Sequence, residues 1–532
     1  MKNALTPGER SAVRLALTFA AVKFVIHLVT NLWQAHTGWG YFRDELYYIA
    51  CGRHLAFGYV DHAPLVAVQA WLAMLLFGKS LAGIRMFSAL AGAARVFLTG
   101  ILCYKFGGRA AAQALAMLAV LMAPQYLGAD GYLSMNSFES IFWMGCVLAI
   151  LRVLATPPEN QQQARKAWLW FGVFAGLGLE NKPSMAFFLA ALLVALLINP
   201  ARRILFTRNA AMGVGVMLAL AAPYVLWNAT HQWAMLDFLH EGIRQHKNVA
   251  LPPGAFLKAQ LDMLNPLACV LWISGLVWLL YADVTRPVRW MGQTYLIFLA
   301  IMMALHGKDY YLSPIYPLLF AAGAAALAGR VTQPAMGRLR ASLVGVYAAA
   351  LLLTGILIVP AAIPVFPVDQ QLAYMQRFHL MGQPDEKWAQ GPLPQFFSDR
   401  FGWQEIANGV TAAYEQLPRA DQARCGIFGA NYGDASAINF LAPPPDNGRR
   451  LPEAVSGQNS YFLWGPHGYT GQVMIIATSA DIDEIRKYYD DVTIAARADS
   501  QWAMPYERIN IYIARHRKKN FTKEWPEMKE YI

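Results

Sequence analysis

Long apolar runs alternate with short polar connections through the first two thirds of the chain and stop near Pro364. A helix needs about 20 apolar residues to cross the hydrocarbon core of a bilayer. Runs of this kind fall at approximately 12–34, 84–104, 109–128, 136–154, 167–180, 184–199, 209–229, 258–281, 290–306, 311–329 and 341–363, predicting a bundle of about 11–13 spans. The segment 65–78 is shorter and amphipathic, and reads as lying on the membrane or entering it partway. After about residue 365 the pattern changes. Apolar runs at Cys425–Ala430, Tyr461–Trp464, Val473–Ala477 and Ile509–Ile513 alternate with helical patterns near 434–440 and 481–489, which implies a small α/β layer. The run from Arg515 to Lys519 reads as a solvated tail. The expected fold is therefore mainly α, a polytopic membrane helix bundle over 1–363 followed by a soluble α/β domain over 364–532.

Composition supports this division. Of the 532 residues 56% are hydrophobic and only 14% charged, against roughly 25% charged in soluble globular proteins. The net charge of +11 does not point to nucleic acid, because no dense basic tract adjoins an aromatic platform. Most Lys and Arg instead punctuate the apolar segments, as the positive-inside rule requires. With eleven spans and the N-terminus inside, clusters such as Lys2, Arg10 and Arg14, Lys105 and Arg109, or Arg202, Arg203 and Arg208 all fall inside, and the C-terminal domain falls outside. The five cysteines are scattered without a metal or CxxC spacing, so a disulfide framework is not expected. The first apolar run, about Val13 to Trp33, is too long for a signal-peptide h-region and reads as an uncleaved signal anchor.

On this topology the outside face gathers the loop 35–64, the segment from Asp130 to Asn136, Glu180-Asn-Lys-Pro183, the stretch His231 to Pro253, and His306-Gly-Lys-Asp-Tyr-Tyr311. Ionisable groups at the membrane edge are costly and functional by default, and their one-sided clustering points to an extracytoplasmic active site. Asp44 and Glu45 are adjacent carboxylates. One can take a proton from an acceptor hydroxyl while the other orients substrate or metal, although Asp44 can equally be a helix N-cap of a short helix over 44–57. Asp61-His62 is either an ordinary hydrogen-bonded pair or a site for a divalent ion or a phosphate. Lys182 and Lys308 stand alone beside Pro or aromatic residues, where a lysine can pair with a lipid phosphate. Tyr47, Tyr48, Tyr310 and Tyr311 suit an interfacial belt, and a lone His306 is more often structural than a ligand. No Gly-rich phosphate fingerprint is present, since Gly426, Gly429 and Gly433 miss its spacing.

An ordered set of motifs then becomes specific: Arg43-Asp-Glu-Leu-Tyr-Tyr-Ile-Ala50, Gly58-Tyr-Val-Asp-His-Ala-Pro-Leu65, Phe77-Gly-Lys-Ser80 with Arg85, Phe106-Gly-Gly-Arg-Ala-Ala111, Gly178-Leu-Glu-Asn-Lys-Pro183 and Lys308-Asp-Tyr-Tyr-Leu-Ser-Pro-Ile-Tyr-Pro317. This set resembles glycosyltransferase family 39 of the GT-C superfamily, which includes protein O-mannosyltransferases and the lipid A aminoarabinose transferase. The resemblance covers about 1–330. It implies a polyprenyl-phosphate-linked sugar donor, a lipid, protein or glycan acceptor, inversion at the anomeric carbon, and a bacterial inner-membrane location with a periplasmic C-terminal domain. By position it makes Asp44 the base and Glu45 its companion. The expected substrate-binding residues are Arg43, His62, Asp130, Lys182, Lys308, Tyr310 and Tyr311, and a divalent metal (Mg, Mn or Zn) is expected on Asp61 and His306. Asp61 and His62 stand where the aminoarabinose transferase has a glutamate and a lysine, and Ala63 replaces the first proline of the usual Pro-Pro-Leu. The competing class is a polytopic transporter or lipid-linked-sugar flippase. It predicts ionisable groups near the midplane in repeated halves, and no repeat is visible.

Overall fold

The computed structural model describes residues 6–245, 249–328, 334–382, 389–446, 448 and 450–532; part of the polar stretch 231–253 falls outside them. The contacts divide the chain into two compact units. The first comprises Met1–Trp33, Ala82–Leu226 and Ala250–Val365, and the second Gln34–Leu81, Trp227–Val249 and Phe366–Ile532.

The first unit is helical. Among the described residues six helices are long and apolar enough to cross a membrane: α1 (Pro7–His36), Met86–Lys105, Asn136–Leu154, Arg208–Thr230, Asp309–Leu327 and Arg338–Ala362. Two expected spans are broken instead, Ala110–Leu121 with Pro124–Asp130 by 64°, and Pro253–Asp262 with Pro266–Tyr281 by 103°. Both breaks precede a proline, which lacks an N–H and crowds the preceding turn, and Asn265 adopts φ +70° before the second. The other expected spans are also helices. Met185–Leu197 and Trp290–Ala304 are 13 and 15 residues long, and Gln161–Asn181 has 21. A multi-pass membrane protein is the outcome. Small residues bring its helices together: a Cβ on Gly275 would meet the Leu319 carbonyl, and one on Gly323 the Leu271 carbonyl, a close approach that only glycine permits.

The second unit joins two short helices near the N-terminus to the α/β layer. The first, α2 (Arg43–Arg53), is shorter than the expected 44–57. The second, α3 (Leu65–Phe77), buries Val66, Ala67, Gln69, Ala70 and Ala73 and leaves Trp71, Leu75 and Leu76 exposed. Five strands form one mixed sheet of order β2-β1-β3-β5-β4: β1 Cys425–Gly429, β2 Ala454–Val455, β3 Val473–Thr478, β4 Tyr489–Ala498 and β5 Ile509–Arg517. The pairs β1·β2 and β1·β3 are parallel, whereas β5 runs antiparallel to both β3 and β4. Helices Trp403–Glu415 and Tyr432–Leu441 belong to the same layer. Met474, Ile476, Tyr489, Val492, Tyr512, Phe521 and Trp525 fill one core. A second core packs Trp39 against Val368, Met375, Phe397 and Phe401.

Three local expectations are corrected. Tyr461–Trp464 is part of a helix, Asn459–Trp464, ended by Gly465 at φ +86°; a four-residue apolar run does not distinguish strand from buried helix by periodicity. The helix expected over 481–489 is confined to Ile482–Arg486, and β4 follows it. Arg515 and Arg517 lie in β5 rather than in a tail. Arg517 is nearly buried and donates to Tyr489 Oη at 2.9 Å and to Glu524 Oε2 at 2.8 Å.

Candidate active site

The N-terminus of α2 carries the adjacent acids, and the fold gives them different work. Glu45 is fully buried and its Oε2 accepts the backbone N–H of Phe42 at 2.8 Å. It thereby satisfies a donor that the first helical turn leaves without a partner. Asp44 is half-buried, and its Oδ1 accepts the hydroxyl of Tyr432 at 2.9 Å. A carboxylate in the first turn is further stabilised by the positive end of the helix dipole.

One turn further along α2, Tyr47 points at the second expected acid. Its hydroxyl donates to Asp61 Oδ1 at 2.9 Å and accepts the backbone N–H of Ser460 at 3.1 Å. Burial, reinforced by the Asp61 charge, pushes the Tyr47 phenol well above its usual range and keeps it a donor. The Tyr47 and Tyr432 rings pack at a tilt of 37° with centroids 4.7 Å apart. His62 was expected to meet a phosphate, but it is 1% exposed and stacked on Tyr59, with Nδ1 2.9 Å from the Ala63 carbonyl and Nε2 3.6 Å from Cys51 Sγ.

Arg43 faces a buried set of groups. Its guanidinium lies 4.7 Å from the Tyr432 ring centre and 5.5 Å from that of Tyr506, and Nε is 3.8 Å from Glu507 Oε1. Burial alone would lower its pKa, but Tyr432, Tyr506, Glu507 and Asp399 reverse the effect and hold it charged. Beside it Asp434 and Glu507 are both almost completely buried. Burial first, and then the neighbouring Glu507, raise the Asp434 carboxyl well above the usual range. Asp434 Oδ1 and Glu507 Oε2 have no other hydrogen-bond partner among the described residues, so one proton shared between the two carboxyls satisfies both.

The first unit holds a separate cluster built on Lys182. Its Nζ donates to Asn136 Oδ1 at 2.8 Å and Glu139 Oε2 at 3.1 Å. It also lies 5.1 Å and 4.5 Å from the ring centres of Tyr310 and Tyr311. Lys308 sits 6.0 Å from the Tyr310 ring, and His306 is exposed on a left-handed turn at φ +50°. Asp130, expected to face substrate, is instead wholly enclosed: Lys23 Nζ is 3.0 Å from its Oδ2, and Arg95 Nη1 reaches both its oxygens at 3.0 and 2.8 Å. Two buried cations saturate this carboxylate, which makes it a structural ion-pair centre.

Among the described residues no three or more His, Cys, Asp or Glu side chains gather in an arrangement that could hold a metal ion. Asp61 is taken up by Tyr47, and His306 belongs to the other unit. Among the described residues these donors do not fit a protein-built divalent site.

A family model for dolichyl-phosphate-mannose-protein mannosyltransferases matches residues 61–227. Two crystal structures of ArnT from Cupriavidus metallidurans, one bound to undecaprenyl phosphate and one in the apo state, are similar to this chain with TM-scores of 0.60 and 0.59. They share 15% and 16% identity, over 93% and 95% of this chain and 97% and 98% of theirs. The chain has the GT-C fold. Fold and family match together indicate a glycosyltransferase. No curated protein sequence matches it.

Several residues at these two clusters escape a reading of the sequence. Glu139 carried a usable signal, being a lone carboxylate inside an apolar run. Tyr432, Tyr506, Asp434 and Glu507 carried none, because they lie in ordinary globular sequence hundreds of residues from the α2 motif they contact.

Proposed function

We propose that this chain is a membrane glycosyltransferase that moves a sugar from a polyprenyl-phosphate donor to an acceptor on lipid, protein or glycan, with inversion at the anomeric carbon. The observation that carries this reading is the half-buried Asp44 carboxyl group, set at a helix N-terminus and oriented by a phenol. The family match and the ArnT-like fold supply its class, and the undecaprenyl phosphate bound in one ArnT structure favours a lipid-linked donor.

In the proposed step the acceptor oxygen attacks the anomeric carbon and Asp44 takes its proton. The bond from that carbon to the phosphate oxygen breaks, and polyprenyl phosphate leaves with the electron pair. The charge that grows on the leaving phosphate calls for a cation, and the sequence reading puts Lys182 and Lys308 on substrate. The distribution of basic residues favours chemistry on the outer face of the bacterial inner membrane, with the C-terminal α/β layer in the periplasm.

The test is transfer by the full chain in proteoliposomes, offered radiolabelled undecaprenyl-phosphate mannose, glucose, galactose and 4-amino-4-deoxyarabinose with membrane acceptors. Asp44→Asn is expected to lower transfer by about 100-fold or more, within the usual range for a lost general base. Transfer that persists at the wild-type rate removes Asp44 from the mechanism.

A further inference from the structure

We propose that Tyr432 is the positioning residue for Asp44. It acts as one half of a closely packed, tilted tyrosine pair whose other half, Tyr47, holds Asp61. The proposal rests on the reading of Asp44 as the base, and it assigns a task to the C-terminal part of the chain, which delivers Tyr432.

The geometry is reciprocal. Tyr432 Oη donates to Asp44 Oδ1 at 2.9 Å, and Tyr47 Oη donates to Asp61 Oδ1 at 2.9 Å. The two rings lie 4.7 Å apart at an interplanar angle of 37°, a separation at which aromatic pairs attract. Each phenol is fixed from several sides. Tyr432 opens the helix Tyr432–Leu441, whose N-cap Asn431 accepts from Asp434 N at 3.0 Å, and its own backbone N–H donates to Gln458 Oε1 at 3.0 Å. The Arg43 guanidinium covers its ring at 4.7 Å. The next residue, Gly433, leaves room for this, since a Cβ there would come within 2.9 Å of Trp403 and 3.1 Å of Arg43. Tyr47 is fixed by α2 and by the Ser460 N–H.

A phenol that cannot swing away does two things for a neighbouring carboxylate. It favours the ionised form by hydrogen bonding to it, and it holds one oxygen so that the carboxylate plane is set. Burial keeps the Tyr432 phenol protonated, with Asp44 and Asp61 acting in the same direction and Arg43 against it. The charged groups that act on the Tyr432 phenol include Arg43, Asp44 and Asp61, and Glu507 and Asp399 act on Arg43. None of these groups has to move for the phenol to act.

Tyr432→Phe keeps the ring and removes only the donor. In the proteoliposome assay above, kcat is expected to fall about tenfold, as for a lost hydrogen bond to a charged group. KM for the lipid-linked donor stays within about twofold, and the acidic limb of the pH–rate profile moves up by roughly half to one pH unit. Replacing Tyr432 by 3,5-difluorotyrosine strengthens the donor and moves that limb the other way. Tyr469→Phe, which removes a hydroxyl donating 2.7 Å to the Glu453 carbonyl, leaves rate and profile unchanged. If Asp44→Asn is inactive while Tyr432→Phe keeps the wild-type kcat and an unmoved limb, the positioning role is wrong and the proposed function stands. If Asp44→Asn transfers at full rate, or the wild-type protein uses none of the four donors, the proposed function fails and the inference with it.

Discussion

Asp44 and Asp130 are both carboxylates beside arginines, and their surroundings could hardly differ more. Asp130 in the first unit is closed off from solvent and receives three contacts from Lys23 and Arg95. Its charge is cancelled where it stands. Asp44 in the second unit is half-buried and held by a neutral phenol, while the adjacent Arg43 is turned toward Tyr506 and Glu507. A neutral donor orients a carboxylate without neutralising it, whereas two cations cancel the charge of Asp130. The kind of partner, more than burial or position in a motif, separates the acid that supports the fold from the acid proposed to act.

The contrast can be broken in order of expected effect. Asp130→Asn leaves two cations facing each other in the interior, and loss of one partner from a buried ion cluster costs about 3–5 kcal/mol. The yield of monodisperse protein and its apparent Tm should both collapse, whereas an Asn variant as stable as wild type would deny Asp130 its structural role. Next, Lys182→Met should lower transfer by about 100-fold, the scale of a lost charge-stabilising group. It also strands Glu139, which pairs with Lys182 at 3.1 Å. The double variant Lys182→Met with Glu139→Gln should therefore recover the apparent Tm but not the activity, and recovery of both would reduce Lys182 to a packing element.

The smallest effect concerns Asp434. Its carboxyl is raised above the ordinary value in the folded chain, so the native state binds a proton that the unfolded state has released. That contribution is full below the ordinary carboxylate range and is lost as pH rises toward the folded value. Asp434→Asn keeps an amide in place of the protonated acid and removes this loss. Its apparent Tm should gain on wild type as pH increases from about 4 to about 8, and two parallel curves would mean that Asp434 and Glu507 share no proton.

Much of this was legible before the fold was known, and the physics explains where legibility ended. Apolar runs of spanning length mark helices because hydrocarbon forces every backbone group into internal hydrogen bonds, and among the described residues the expected segments are helical, two of them broken. The breaks before Pro124 and Pro266 follow from local chemistry, but their angles depend on packing. Asp44 was visible because a charge beside an apolar run is expensive. Its partner was invisible because Tyr432 looks like any tyrosine of a globular helix, and only the tertiary fold brings it to Asp44. The same limit applied to Glu45. A pair of neighbouring acids cannot announce that one of them is spent on the Phe42 N–H.

The tyrosine pair also sets an order of events during synthesis. The second unit is assembled from three stretches of chain, Gln34–Leu81, Trp227–Val249 and Phe366–Ile532. Asp44 emerges early, yet the residue that orients it follows 388 positions later, which at about 5–20 residues per second is roughly 20–80 s of translation. Throughout that interval the nascent chain carries the Asp44 carboxyl group without the Tyr432 phenol. A chain that stalls before Tyr432 lacks the residue proposed to orient its base.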